Sequence, residues 1–147
     1  MKTDTTDPVK TGMLGTLLGY QLRRAQSAVF AEFMQTMTGD KVTPGQFGVL
    51  TLIQENTGLN QSTLAKALGI ERSTMVGVID GLESRGLVER RKSPTDRRAH
   101  ALTLTDQGAD LLNTIKPKII DHESRIAGDL SEEDLKTLMT LLRRVAR

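Results

Sequence analysis

Apolar residues recur at three- and four-residue spacing along most of this chain and alternate over two short stretches, which predicts a mainly helical domain with one small β-hairpin. Leu14, Leu17, Leu18, Leu22, Ala25, Val29, Phe33, Met34 and Met37 form the first stripe, read as one long amphipathic helix over 13–38 and ended at Gly39-Asp40. A second helix opens with Thr43 as cap, Pro44 at the first helical position and Gln46 closing a capping box, and runs through Phe47, Leu50, Leu52 and Ile53. Thr57-Gly58-Leu59 then offers a short third strand against the hairpin. Asn60 caps a helix of about two turns with Leu64, Ala65 and Leu68 on its apolar edge, stopped by Gly69. After Ile70 fills the corner, Met75, Val76, Val78, Ile79 and Leu82 stripe a longer helix over 72–85, with Glu71 in its first turn and Gly86 at its left-handed end. Two helices joined by a Gly-containing turn of three or four residues make a helix-turn-helix.

Residues 87–92 and 99–104 suit strands, and Ser-Pro-Thr-Asp between them is a turn signal, so a hairpin follows as a wing. Thr105 caps the next helix, where Leu112, Ile115, Ile119 and Ile126 form a stripe that Pro117 is expected to kink or break. A last helix starts at Ser131, boxed by Asp134, with Leu135, Leu138, Met139, Leu142 and Val145 on one face and Arg143 and Arg144 near its negative end.

Charge sharpens this outline. Between residues 85 and 98 stand Arg85, Arg90, Arg91, Lys92, Arg97 and Arg98 against Glu89 and Asp96, a local +4 where the whole chain carries only +2. Such a concentrated patch attracts phosphate, and an Arg at a hairpin tip can enter a narrow minor groove. The alternative is a solvated basic hairpin. On the face of 72–85 opposite its apolar stripe lie Ser73, Thr74, Gly77, Asp80, Gly81 and Ser84. Each glycine costs about 1 kcal/mol of helix stability relative to Ala, so either a DNA groove approaches this face closely or another helix packs on it. A recognition helix is read mainly from its start, here Arg72, Ser73 and Thr74.

The stretch GLESRGLVERRKSPTDRRAHALTLTDQG resembles the winged-helix core of the MarR family of bacterial transcription regulators, and the order of elements matches over nearly the whole chain. The resemblance implies that Arg72, Ser73 and Thr74 face bases or phosphates, and that Arg98 enters the minor groove with Asp96 orienting the loop. The DNA-facing set then extends to Asn60, Gln61 and Ser62 at the start of the preceding helix, to Gly77, and to Lys92. At Gly81 the family commonly has an Arg that contacts DNA; Arg85, Arg90 or Arg97 can compensate. The resemblance further implies a small-molecule effector in a crevice between dimerisation helices and the DNA-binding lobe. RRAQSAVFAEFM and TPGQFGVLTLI are similar to regulators of aromatic-acid breakdown, so the effector is expected to be an aromatic acid or its coenzyme A thioester. Tyr20, Arg23, Arg24, Phe30, Phe33, Phe47 and Leu50 are the candidate ligand residues, although Arg23 and Arg24 equally suit plain surface charges.

The length of 147 residues fits one domain. Residues 1–10 read as a disordered tail and 11–147 as a single unit, with a winged helix-turn-helix lobe over 43–104 and dimerisation helices over 11–38 and 105–147. The three helices flanking the lobe carry apolar stripes that a two-fold homodimer can bury, and two recognition helices about 34 Å apart would read a palindromic double-stranded operator.

No run of eighteen apolar residues occurs, and MKTDTTDPVK lacks the apolar core of a signal peptide, so a cytoplasmic protein without membrane partners is expected. With no cysteine there is no disulfide, no Cys-ligated zinc and no thiol redox sensor. Nucleophile-elbow, P-loop, dinucleotide-binding and zinc-protease motifs are absent; no enzyme, cofactor or metal is expected. Asp121-His122-Glu123 cannot converge on one ion because helical neighbours point apart, and His122, spaced with Ile119 and Ile126, reads as a satisfied core or interface histidine. A reading from a different class is a winged-helix module that binds a protein partner, with vestigial DNA contact; Gly81 favours it.

Overall fold

The computed structural model describes residues 9–92 and 100–146. Six α-helices and one antiparallel hairpin follow the predicted order: α1 Leu18–Thr36, α2 Pro44–Glu55, α3 Gln61–Leu68, α4 Arg72–Ser84, β1 Val88–Lys92, β2 His100–Leu104, α5 Asp106–Ala127 and α6 Glu132–Val145.

The local stop and start signals work as chemistry predicts. Thr43 and Gln46 form the reciprocal box that opens α2, with Gln46 N donating to Thr43 Oγ1 at 3.2 Å and Thr43 N donating to Gln46 Oε1 at 3.1 Å. Asn60 Oδ1 accepts from Thr63 N at 2.8 Å. Gly69 (φ 63°) and Gly86 (φ 71°) take the left-handed conformation that ends α3 and α4. Ser131 and Asp134 box the start of α6.

Three details differ from the sequence reading, and one alternative it left open, a break at Pro117, is excluded. The first helix is not continuous over 13–38: a 3₁₀ turn at Gly12–Thr16 precedes α1, and Leu17 between them is extended (ψ 130°). Gly12, Gly15 and Gly19 crowd this junction, and glycine weakens helix interiors. Pro117 does not break α5. Both Pro117 and Asn113, whose carbonyl loses its helical donor there, lie on the exposed side, where water can satisfy the freed oxygen. Glu71 is the N-cap of α4 rather than part of its first turn, and its side chain makes no capping bond. Among the described residues the sheet has two strands only. The 57–59 segment contributes one ladder-like bond, Leu102 N to Leu59 O at 2.8 Å, and pairs no further.

The core sits where α2, α3, α4 and the hairpin meet α5. Leu50, Leu64, Met75, Ile79, Leu82, Val88, Leu102, Leu112 and Ile115 are each at most 2% exposed. Register runs from Val88 opposite Leu104 to Lys92 opposite His100, so Val88 and Leu102 turn inward with half-buried Arg90 on the same face, while Glu89 and Arg91 turn out. The start of α5 is pressed onto the α4–β1 junction: Thr105 Oγ1 donates to Gly86 O at 2.5 Å, and a Cβ on Gly108 would lie 2.1 Å from Leu87 O. Only glycine fits there.

Both ends of the chain are left uncovered. Leu14, Leu17, Leu18, Val29, Phe30 and Met34 at one end, and Leu135, Leu138, Met139, Leu141 and Val145 at the other, are all exposed, and α6 buries no residue at all. None of the described helices is long and apolar enough to cross a membrane.

Candidate nucleic-acid interface

Helix α4 turns one face to the core and the other to open space. Met75, Ile79 and Leu82 are fully buried, while Arg72, Ser73, Thr74 and Gly77 are exposed. A Cβ built on Gly77 or on Gly81 meets no atom within 4 Å. No described neighbouring helix uses the low profile of this face, so packing among the described residues does not explain either glycine. Ser62 is exposed beside this helix on the first turn of α3, whereas Asn60 is engaged in capping.

The arginines expected to reach DNA divide by partner. Arg90, in the middle of β1, ties three elements together. Its Nη2 donates to Asp80 Oδ1 at 2.7 Å on α4 and lies 3.5 Å from Gln61 Oε1 on α3, while Nη1 donates to Glu83 Oε1 at 3.1 Å. The bond to Asp80 raises the guanidinium's pKa, opposed by desolvation and helped by the charge of Glu83. This is a pin that fixes the hairpin against the helix pair. Arg85 leaves the end of α4 for the turn between α1 and α2, where its Nη1 donates to Lys41 O at 2.8 Å and its Nη2 to Asp40 O at 3.1 Å. Arg91 pairs with Glu89 at 3.1 Å, an exposed contact. Lys92 is exposed at the outer end of β1. Asp96, Arg97 and Arg98 lie outside the described residues.

The seven candidate ligand residues do not form one lining. Tyr20 and Arg24 associate on the surface of α1, the guanidinium carbon 5.9 Å from the ring centroid. Arg23 and Phe30 are exposed nearby. Phe33 instead packs inward, its ring 6.2 Å from Phe47 and 5.3 Å, edge-on, from His122. Leu50 is fully buried core.

A polar cluster that sequence reasoning missed joins α1 to α5. The Glu32 carboxylate is hydrogen-bonded to His122 Nδ1 and to Arg125 Nε, and Arg125 Nη2 donates to Thr36 Oγ1 at 2.8 Å. His122 is only 3% exposed, and Glu32 accounts for its burial as a satisfied histidine. The Arg125 bond first, then the His122 bond, hold the Glu32 carboxyl at about 2, well below its usual 4.5. A carboxylate on the same helical face as Phe33 and Thr36, with a histidine on the stripe of a later helix, was the available signal. Nearer the lobe, Asp40 pairs with Lys118 of α5, and Lys116 Nζ donates to Gln54 Oε1 at 3.0 Å.

Comparison with known proteins agrees with this arrangement. The MarR family model matches residues 42–100. A protein of Thauera aromatica described as a transcriptional regulatory protein for the hcr operon is 40% identical over 145 residues, which is 98% of this chain and 87% of that one. The structure of the transcriptional repressor CouR bound to a 23-mer DNA duplex superposes with a TM-score of 0.87 at 42% identity, covering 95% of this chain and 99% of CouR. CouR bound to p-coumaroyl-CoA gives a TM-score of 0.87 at 40% identity, over 95% and 98% of the two chains.

Proposed function

Because the chain belongs to the MarR family, we propose that it is a homodimeric repressor whose α4 enters the major groove of a palindromic operator and whose release is controlled by a small aromatic acid or its coenzyme A thioester. The observation that carries the DNA half is the open face of α4: exposed Arg72, Ser73 and Thr74 stand beside two glycines whose small size no neighbour among the described residues requires. A groove that admits one helix does require a low profile there. CouR, which shares the fold at 42% identity, is bound to duplex DNA in its own structure, and that supports the reading. Residues 43–104 act as the DNA-binding lobe, and 11–38 with 105–147 supply the exposed apolar stripes that a second copy covers. Ser62, Lys92, Arg97 and Arg98 add backbone and groove contacts, while Arg90 serves by holding the hairpin in register with α4. The setting is the bacterial cytoplasm.

The effector half rests on likeness to CouR, whose structure holds p-coumaroyl-CoA. A ligand changes DNA affinity only by preferring one spacing of the two recognition helices, and a coupling of about 1–3 kcal/mol changes it about 5- to 150-fold.

The test is a fluorescence-anisotropy titration of the purified protein with the duplex upstream of its own gene, against unrelated competitor and across salt concentrations. A sequence-specific reader keeps its preference over competitor and loses affinity with a log–log slope of about −0.9 per phosphate contacted. Addition of p-coumaroyl-CoA, or of free hydroxycinnamic and benzoic acids, is expected to weaken that binding. No preference for any upstream duplex and a flat salt response would replace this reading with a winged-helix module that binds a protein partner.

A further inference from the structure

The turn between α1 and α2 gathers three elements onto two residues. Lys41 is the one non-glycine residue with positive φ (54°) among the described residues, a conformation that persists only where its surroundings fix it. Here it aims two successive carbonyls, those of Asp40 and Lys41, at the forked guanidinium of Arg85 from the end of α4. The Asp40 side chain, only 13% exposed, turns the other way and takes Lys118 of α5. The turn is itself anchored to α1, since Asp40 N and Lys41 N donate to Met37 O at 3.1 and 2.9 Å, and Met37 is 1% exposed.

We propose that residues 40 and 41 form a junction through which α1 and α5 set the angle of α4, with Arg85 and Lys118 acting as positioning residues and not as DNA contacts. The proposal deepens the reading above and rests on α4 being the recognition helix. Charge-assisted bonds to a cation are short and directional, and a fork fixes orientation as well as distance. The effect at the DNA is geometric. Arg72 and Arg85 stand at opposite ends of a helix about 20 Å long at 1.5 Å per residue, so a tilt of about 5° at the Arg85 end carries the other end by about 2 Å. A displacement of α1 or α5 by an effector therefore reaches Arg72, Ser73 and Thr74 as a tilt of α4 that carries Met75 and Ile79 with it.

Two measurements on the full chain decide this. In hydrogen–deuterium exchange without DNA, Lys118→Met and Arg85→Lys are both expected to speed exchange of the 82–87 amides about 3-fold or more, as for residues that share one network. The Lys118 side chain is linked to Arg85 through Asp40, so unchanged protection of those amides in Lys118→Met overturns the junction. In operator titrations over a range of salt, Lys118→Met and Arg85→Gln are expected to weaken specific binding while leaving the salt slope at its wild-type value. A slope shallower by about 0.9 in Arg85→Gln would make Arg85 a phosphate contact and overturn its assignment. If the wild-type protein discriminates among no duplexes, the recognition reading fails by itself, and the exchange experiment still decides the junction.

Discussion

At Gly77 the requirements of folding and of recognition point in opposite directions. The residue lies in the interior of α4 with ordinary helical φ, and an added methyl group there meets nothing within 4 Å. Gly77→Ala should therefore stabilise the folded chain by about 0.5–1 kcal/mol through helix propensity alone. If α4 lies in a major groove, the same methyl group stands in the closest part of the contact. The expected result is a higher denaturant midpoint together with weaker operator binding. A variant that is both more stable and equally tight would remove Gly77 from the interface. Much at this scale was legible in the sequence, because caps and stops act within a few residues: Thr43 with Gln46, Asn60, Gly69 and Gly86 all serve as their types predict. The arginines were not. Arg85 finds its acceptors 44 and 45 residues away, and Arg90 spans 10 residues to Asp80 and 29 to Gln61, so a charge count sees their sign and not their partners.

Between elements, helical stripes placed every helix but left their ends and polar contacts open. The break at Leu17 and the continuity of α5 through Pro117 depend on backbone bonds and solvent exposure that side-chain periodicity does not encode. The α1–α5 contact was equally hidden, since Glu32 and His122 are 90 residues apart. That contact has a defined acid response. Glu32 is held at about 2 against its usual 4.5, so its folded form binds a proton less readily than its unfolded form. The stabilisation this provides is complete above about pH 4.5 and is lost as pH falls toward 2. Urea midpoints of wild type and Glu32→Gln, followed from pH 5 down to the acid limit of folding, should converge as the pH drops. Parallel curves over that range would mean that Glu32 contributes nothing through its ionised form. The Phe33 ring lies edge-on against His122, so the variant also reports how firmly α1 is held to α5.

The whole molecule carries apolar surface that one chain cannot bury. Helix α6 has no buried residue although Leu135, Leu138, Met139, Leu141 and Val145 recur along it, and the first part of the chain exposes Leu14, Leu17, Leu18 and Phe30. Patches of this kind at both termini are what a two-fold partner covers, since each copy can offer its first helix and its last to the same seam. Sequence reasoning reached this conclusion from the surplus of stripes over core, and the structure locates the surplus at the ends of the chain, away from α4. With α4 as the proposed recognition helix, recognition and assembly would use different surfaces and be separable by mutation. Leu138→Glu is expected to leave the winged lobe folded, because Leu138 is 40% exposed and lies outside the buried core. In sedimentation velocity the wild type should run as a dimer and the variant as a monomer. A monomer presents one recognition helix in place of two, and losing the second, linked contact should weaken palindrome binding by about 100-fold or more. Its affinity for a single half-site should stay close to that of one wild-type protomer. A Leu138→Glu protein that remained dimeric would place the seam elsewhere on α6 or on the first helix, and a monomer with undiminished palindrome binding would detach recognition from two-fold symmetry.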